Sequence, residues 1–169
     1  MKSLFATFIA FIALLSISCS VKYSFTGASI STKTKSFQVN YFQNNSTLVE
    51  PGIDRDFTNK LIDLLINQTS LELVKNDGDL IFEGEIVEYR ISPTTATANN
   101  TAAQNRLTIG INVRFFDKND SESDFEKRFS FYYDYPGNIQ LIGSQKEIAL
   151  DEIFERITQD IFNEALAKW

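Results

Sequence analysis

The sequence predicts an α+β fold: two helices packed on one face of a mixed, mostly antiparallel sheet of four to five strands. Three observations lead there. Apolar and polar residues alternate with a period of two in 36–43, 79–92, 106–116 and 125–135, with a shorter stretch at 70–75. Two other stretches, 53–68 and one starting at Ser144, place apolar residues at helical spacing. The order is strand, helix, strands, helix. Both helices are then assigned to one face, and no segment is left to cover the other.

Each element has its own justification. In 36–43, Phe37, Val39 and Tyr41 alternate with Gln38 and Asn40, and 44–47 is a polar turn. Pro51 and Gly52 lead into the first helix, where Ile53, Phe57, Leu61, Leu64 and Leu65 form one stripe and Arg55, Asp56, Asn59, Lys60 and Asp63 the other. A short strand at 70–75 ends in the turn Asn76-Asp77-Gly78. The long strand 79–92 loses its alternation near Gly84, which implies a bulge or a close backbone approach. Residues 93–105 carry no charge and little bulk, so they read as a flexible excursion. In 106–116, Leu107, Ile109, Ile111, Val113 and Phe115 face one way and Arg106, Thr108, Gly110, Asn112 and Arg114 the other. An acidic hairpin loop, 117–124, returns the chain as a strand with Phe125, Phe129, Phe131 and Tyr133 on one side. Ser144-Gln145-Lys146-Glu147 reads as a capping box opening a helix that runs to about Lys168, with Leu150, Ile153, Phe154, Ile157, Ile161, Phe162 and Ala165 as its apolar stripe.

Composition narrows the chemistry. The 169 residues suffice for one domain, and 43% hydrophobic residues with 15 Phe supply a core. The formal net charge of −6 repels phosphate backbones, so no nucleic acid is expected as a partner. The single cysteine forbids an internal disulfide. With no histidine, the usual zinc sites, Ser-His-Asp triads and His-based acid–base pairs are excluded. Only a carboxylate pair or a Ser-Lys arrangement could still support an enzyme. The expectation is therefore no catalytic residue, no metal and no cofactor.

The N-terminus reads as a secretion signal. Lys2 precedes an uncharged apolar stretch, 4–17, of 14 residues, below the roughly 20 needed to span a bilayer as a helix. Ser16-Ile17-Ser18-Cys19 follows and resembles a bacterial lipobox, although Ser16 stands where leucine is usual. The reading is a lipoprotein signal peptide at 1–18, a lipidated tether at 19–35 beginning with acylated Cys19, and one α+β domain at 36–169. Acyl chains contribute about 0.8 kcal/mol per buried CH₂, so such an anchor holds the chain to the membrane. Ser20, rather than aspartate, follows the cysteine, which favours the outer membrane.

Several phrases together resemble a known family: Tyr23-Ser24-Phe25-Thr26-Gly27, the strand 37–42, Gly78-Asp79-Leu80 with Phe82-Glu83-Gly84, Asn105-Arg106-Leu107-Thr108-Ile109, and Ile161-Phe162-Asn163. They resemble the LptE-type lipopolysaccharide-assembly lipoproteins in their Bacteroidetes-like form. The resemblance implies two helices on a four-stranded sheet, set inside the lumen of an LptD-type outer-membrane β-barrel as a plug. It implies lipopolysaccharide binding and help in delivering it to the cell surface. The other reading is a structural or adaptor lipoprotein of another periplasmic envelope complex.

A lipopolysaccharide binder would set cations beside apolar surface, because the ligand carries phosphates and carboxylates next to acyl chains. The candidates are Arg90, Arg106, Arg114, Lys127 and Arg128. The structural alternative is cross-strand pairing with Glu83, Glu85, Glu88 and Glu126. Glu83 and Glu85 share a strand face, as a hydrolytic pair or as surface carboxylates. The acids of 117–124 lack the EF-hand spacing and read as a solvated turn. Trp169 and the tyrosines 132, 133 and 135 serve either packing or an interface.

Overall fold

A computed structural model describes residues 30–48, 50–96 and 102–167. The expected signal peptide, Cys19, most of the expected tether, the Tyr23–Gly27 phrase, Lys168 and Trp169 lie outside the described residues. Six strands and two helices form in the order β1 (Ser36–Val39), β2 (Gln43–Asn44), α1 (Ile53–Gln68), β3 (Glu72–Leu73), β4 (Leu80–Ala96), β5 (Ala102–Asp117), β6 (Phe125–Pro136) and α2 (Gly143–Leu166). The sheet order is β3-β1-β4-β5-β6, with β2 also on β4. β1, β2 and β3 pair in parallel, while β4, β5 and β6 form an antiparallel meander. The α+β reading stands, with six strands where four or five were expected.

The extra strand has a local cause. Val39 pairs with Phe82 and Gln43 with Glu85, so four steps on one side meet three on the other. The chain cannot keep its alternation through that mismatch. The stretch 36–43 therefore splits into β1 and β2, Tyr41 turns outward at 53% exposure, and Phe42 takes the buried place. Phe42 meets Phe57 of α1 edge-on at 5.1 Å, and Phe57 meets Phe154 of α2 at 5.4 Å. Aromatic edges thus join strand to helix to helix. The Phe42 N–H donates to the Thr58 hydroxyl, which itself donates to the Asp54 carbonyl.

The apolar side chains of β5 follow the alternation: Leu107, Ile109, Ile111, Val113 and Phe115 are buried. Ile53, Phe57, Leu61 and Leu65 of α1 and Ile153, Phe154, Ile157, Ile161 and Phe162 of α2 close over them. α1 packs against β1, β2 and β3, and α2 against β5 and β6. No described helix is long and apolar enough to cross a membrane.

One local expectation is narrowed to one of its two alternatives, and two need correction. The slip in β4 comes between Ile86 and Glu88, while Gly84 marks a close backbone approach: a Cβ there would lie 2.0 Å from the Asn112 carbonyl oxygen. The excursion expected at 93–105 is largely sheet, since Pro93 pairs with Asn105 and Thr95 with Gln104. Uncharged, small residues do not prevent ladder formation when two long strands already hold the register. Finally, α2 starts at Gly143, and no side-chain cap forms, so the capping box is absent. Gly143 in the left-handed region (φ 53) turns the chain into the helix instead.

Candidate functional site: the uncovered face of the sheet

The helices cover one side of the sheet, and among the described residues nothing covers the other. Register decides what points there. Before the slip, Glu83 and Glu85 of β4 stand opposite Arg114 and Asn112; after it, Glu88, Arg90 and Ser92 stand opposite Gly110, Thr108 and Arg106. From β6 come Glu126, Arg128, Ser130, Tyr132 and Asp134. Four of the five candidate cations, Arg90, Arg106, Arg114 and Arg128, therefore share this face. Lys127 does not: it pairs in register with buried Val113, leans to the helix side, and reaches Glu164 of α2 at 2.6 Å.

Each of the four arginines meets a carboxylate. The Arg114 Nε donates to Glu83 at 2.9 Å, and the Asn40 amide donates to the other oxygen at 3.0 Å. That Arg114 hydrogen bond, aided by Asn40, holds the Glu83 carboxyl below its usual range against the desolvation of its site. A general acid would need the opposite shift, so Arg114 and Asn40 hold Glu83 as a carboxylate, while Glu85 accepts from the Asn45 side-chain amide. Arg128 crosses from β6 over β5 to reach Glu88 on β4, which also accepts from Arg90 at 2.8 Å. Gly110 makes the crossing possible, because a Cβ there would lie 2.8 Å from the Arg128 guanidinium.

Arg106 makes a two-pronged pair with Asp134, at 2.7 and 2.8 Å. The pair raises the Arg106 pKa and lowers that of Asp134, the hydrogen bond being the main cause in both. The Arg106 guanidinium also lies 3.5 Å from the Tyr132 ring centre. An open hollow forms here, lined by Arg90, Ser92, Thr94, Arg106, Thr108 and Tyr132. Two guanidiniums with several hydroxyls can receive an anionic group, provided it competes with Asp134 and Glu88. Ser92, Thr108 and Asp134 were not among the candidates, and Tyr132 was singled out only as a packing or interface residue. The hairpin itself could have revealed Asp134, because folding the chain about 117–124 sets Arg106 opposite it. The described residues hold no metal-ligating cluster, the 117–124 acids included.

Against known proteins, residues 34–165 match the LptE family model, described as lipopolysaccharide-assembly. No curated protein matches the sequence. Among solved structures, the hypothetical protein CT253 from Chlamydia trachomatis is similar, with a TM-score of 0.54 and 10% identity over 80% of this chain and 99% of that one. The rare lipoprotein B from Shewanella oneidensis gives 0.50 and 10% over 75% and 89%. Protein XCC0632 from Xanthomonas campestris gives 0.50 and 10% over 77% and 84%. At such identities these likenesses concern the fold alone.

Proposed function

The chain belongs to the LptE lipopolysaccharide-assembly family, and from that membership we propose that it is an outer-membrane lipoprotein, anchored through acylated Cys19, that plugs the lipopolysaccharide translocon barrel. In this reading 1–18 is removed, 19–35 is the tether, and the domain 36–169 sits in the lumen of an LptD-type barrel or at its periplasmic mouth. It acts by binding, helps the barrel assemble, and assists delivery of lipopolysaccharide to the surface.

The observation that supports this is the bare face of the sheet. Barrel lumens are polar, and a face of paired charges, amides and hydroxyls suits such a wall better than an apolar one. Arg90, Arg106, Arg114 and Arg128 on that face are the candidates for anionic groups of lipopolysaccharide, and the hollow at Arg90 and Arg106 is the place to begin. Lys127, facing the helices, is a weaker fit to that role.

Purification of the tagged full-length chain in mild detergent tests the plug: a very large β-barrel should accompany it in equal amount. Recovery without any barrel would favour the adaptor reading. Cys19→Ala should abolish acylation and release the chain to the soluble periplasmic fraction, and unchanged lipid labelling would refute the anchor.

A further inference from the structure

We propose that the free edge of β6 is a docking site that takes an extended, cationic segment of a partner protein as a further strand of the sheet. The inference does not depend on the barrel reading. The strand order ends at β6, and β5 holds its inner edge from Phe125 to Pro136 with no register shift. Among the described residues no strand pairs with the outer edge. The opposite end of the sheet is β3, only two residues long. Every second residue of the twelve in β6 thus turns its backbone donor and acceptor to the free edge, a row that only another extended chain can satisfy in full.

Long edges are usually blunted by bulges, proline, or lysines. Along β6 these devices, and the other charged residues that also blunt an edge, stand toward the ends: Glu126, Lys127 and Arg128 near the start, Asp134 and Pro136 near the finish. Between Phe129 and Tyr135 the strand has no lysine, proline or glycine. Its Phe131 and Tyr132 rings stack at 5.6 Å and 17°, and Tyr132 is 44% exposed. This middle section is built like a strand that has neighbours on both sides.

The helix beside the edge specifies the partner's charge. α2 forms a ledge along β6, and Glu152, Glu155 and Arg156 line a hollow together with Phe131. Lys127 is matched by Glu164, and Arg156 by Asp160 at 3.5 Å. Glu152 and Glu155, both exposed, have no cation within ion-pairing distance among the described residues. An added strand lies about 4.8 Å beyond β6, and every second side chain points to the helix side. Lysine or arginine at those alternate positions would reach Glu152 and Glu155. The backbone ladder would supply affinity and the alternate side chains selectivity.

Photo-cross-linking tests this in the full-length lipoprotein in its own envelope, with p-benzoylphenylalanine placed in turn at Ser130, on the uncovered face of the edge strand, and at Asn163, on the helix ledge. Mass spectrometry should find both positions joined to one peptide of another protein, with Lys or Arg at alternate positions. The double variant Glu152→Lys/Glu155→Lys should reduce the Ser130 adduct at least tenfold while leaving abundance and far-UV circular dichroism unchanged. Adducts to a second copy of the chain, to its own residues 20–29, or to no polypeptide would overturn the proposal. So would adducts indifferent to the charge reversal. A barrel recovered in equal amount while Ser130 and Asn163 share no cross-linked peptide would overturn this inference and leave the plug reading standing.

Discussion

Two glycines on neighbouring strands should respond to the same substitution in different ways, because different atoms fill the space a side chain would need. At Gly84 a Cβ would sit 2.0 Å from the Asn112 carbonyl oxygen and 2.7 Å from a ring carbon of Phe42. Ordinary contact begins at 3.4 Å, so relief requires more than 1 Å of movement. The obstacle is backbone of the adjoining strand on one side and a fully buried ring on the other. Neither can rotate away. Gly84→Ala should cost about 3 kcal/mol, at the upper end of overpacking, reduced by roughly 0.5 kcal/mol because alanine restricts the unfolded chain. With each kcal/mol worth roughly 3 °C in a domain near this size, the midpoint should fall by about 8 °C. At Gly110 the obstacle is the Arg128 guanidinium, at 2.8 Å. That group can swing into solvent, and the exposed pair it abandons is worth under about 1 kcal/mol. Gly110→Ala should be neutral to within about 1 kcal/mol. Urea unfolding of the unacylated chain, followed by circular dichroism, separates the cases. Equal losses at the two positions would refute the claim that the Asn112 carbonyl closes the space at Gly84.

Phe57→Ala, which removes the ring joining Phe42 to Phe154, should cost about 4 kcal/mol, and a loss below about 2 kcal/mol in the same assay would contradict its central place. Asp79 accepts the Lys35 and Ser36 N–H groups at 2.7 and 3.0 Å, and these bonds, the Lys35 one foremost, hold its carboxyl below the usual range. Its stabilisation is therefore present at neutral pH and lost as pH falls through the depressed value; Asp79→Asn should cost about 1–2 kcal/mol at pH 7 and show a shallower acid-side decline, and an unchanged acid slope would contradict this. Burial, and then the Glu50 charge, push the Tyr89 phenol up to about 12. The neutral phenol belongs to the folded state, so stability should hold below pH 10 and decline between about 10 and 12; Tyr89→Phe should flatten that decline, and an unaltered alkaline slope would count against the assignment.

Much of this fold could be read from side-chain periodicity. The helix Ile53–Gln68 and the buried row of β5 coincide with their patterns because one face of each is wholly covered. Periodicity is weaker where pairing partners decide. The split between β1 and β2 depends on a residue count against β4, which lies about forty positions away. The extension of β4 and β5 into 93–105 depends on cooperative pairing, since the local residues favour no structure. At the site, types and faces were legible for Arg106 and Arg114, which lie on a regular strand. Arg90 came to the same face only through the slip after Ile86, and Lys127 was lost to the other face by its odd position in β6. The carboxylate expected opposite the cations was found at Glu83 and Glu88, while Arg106 chose Asp134, a partner visible only once the hairpin register is known.

The most direct test of the plug is hydroxyl-radical footprinting of the uncovered face. In the free, unacylated chain, Tyr132 and its neighbours on β5 and β6 should be labelled readily. In intact outer membranes the same side chains should be protected, in cells that contain the barrel and not in cells depleted of it. Equal labelling in solution, in membranes and after depletion would contradict the account.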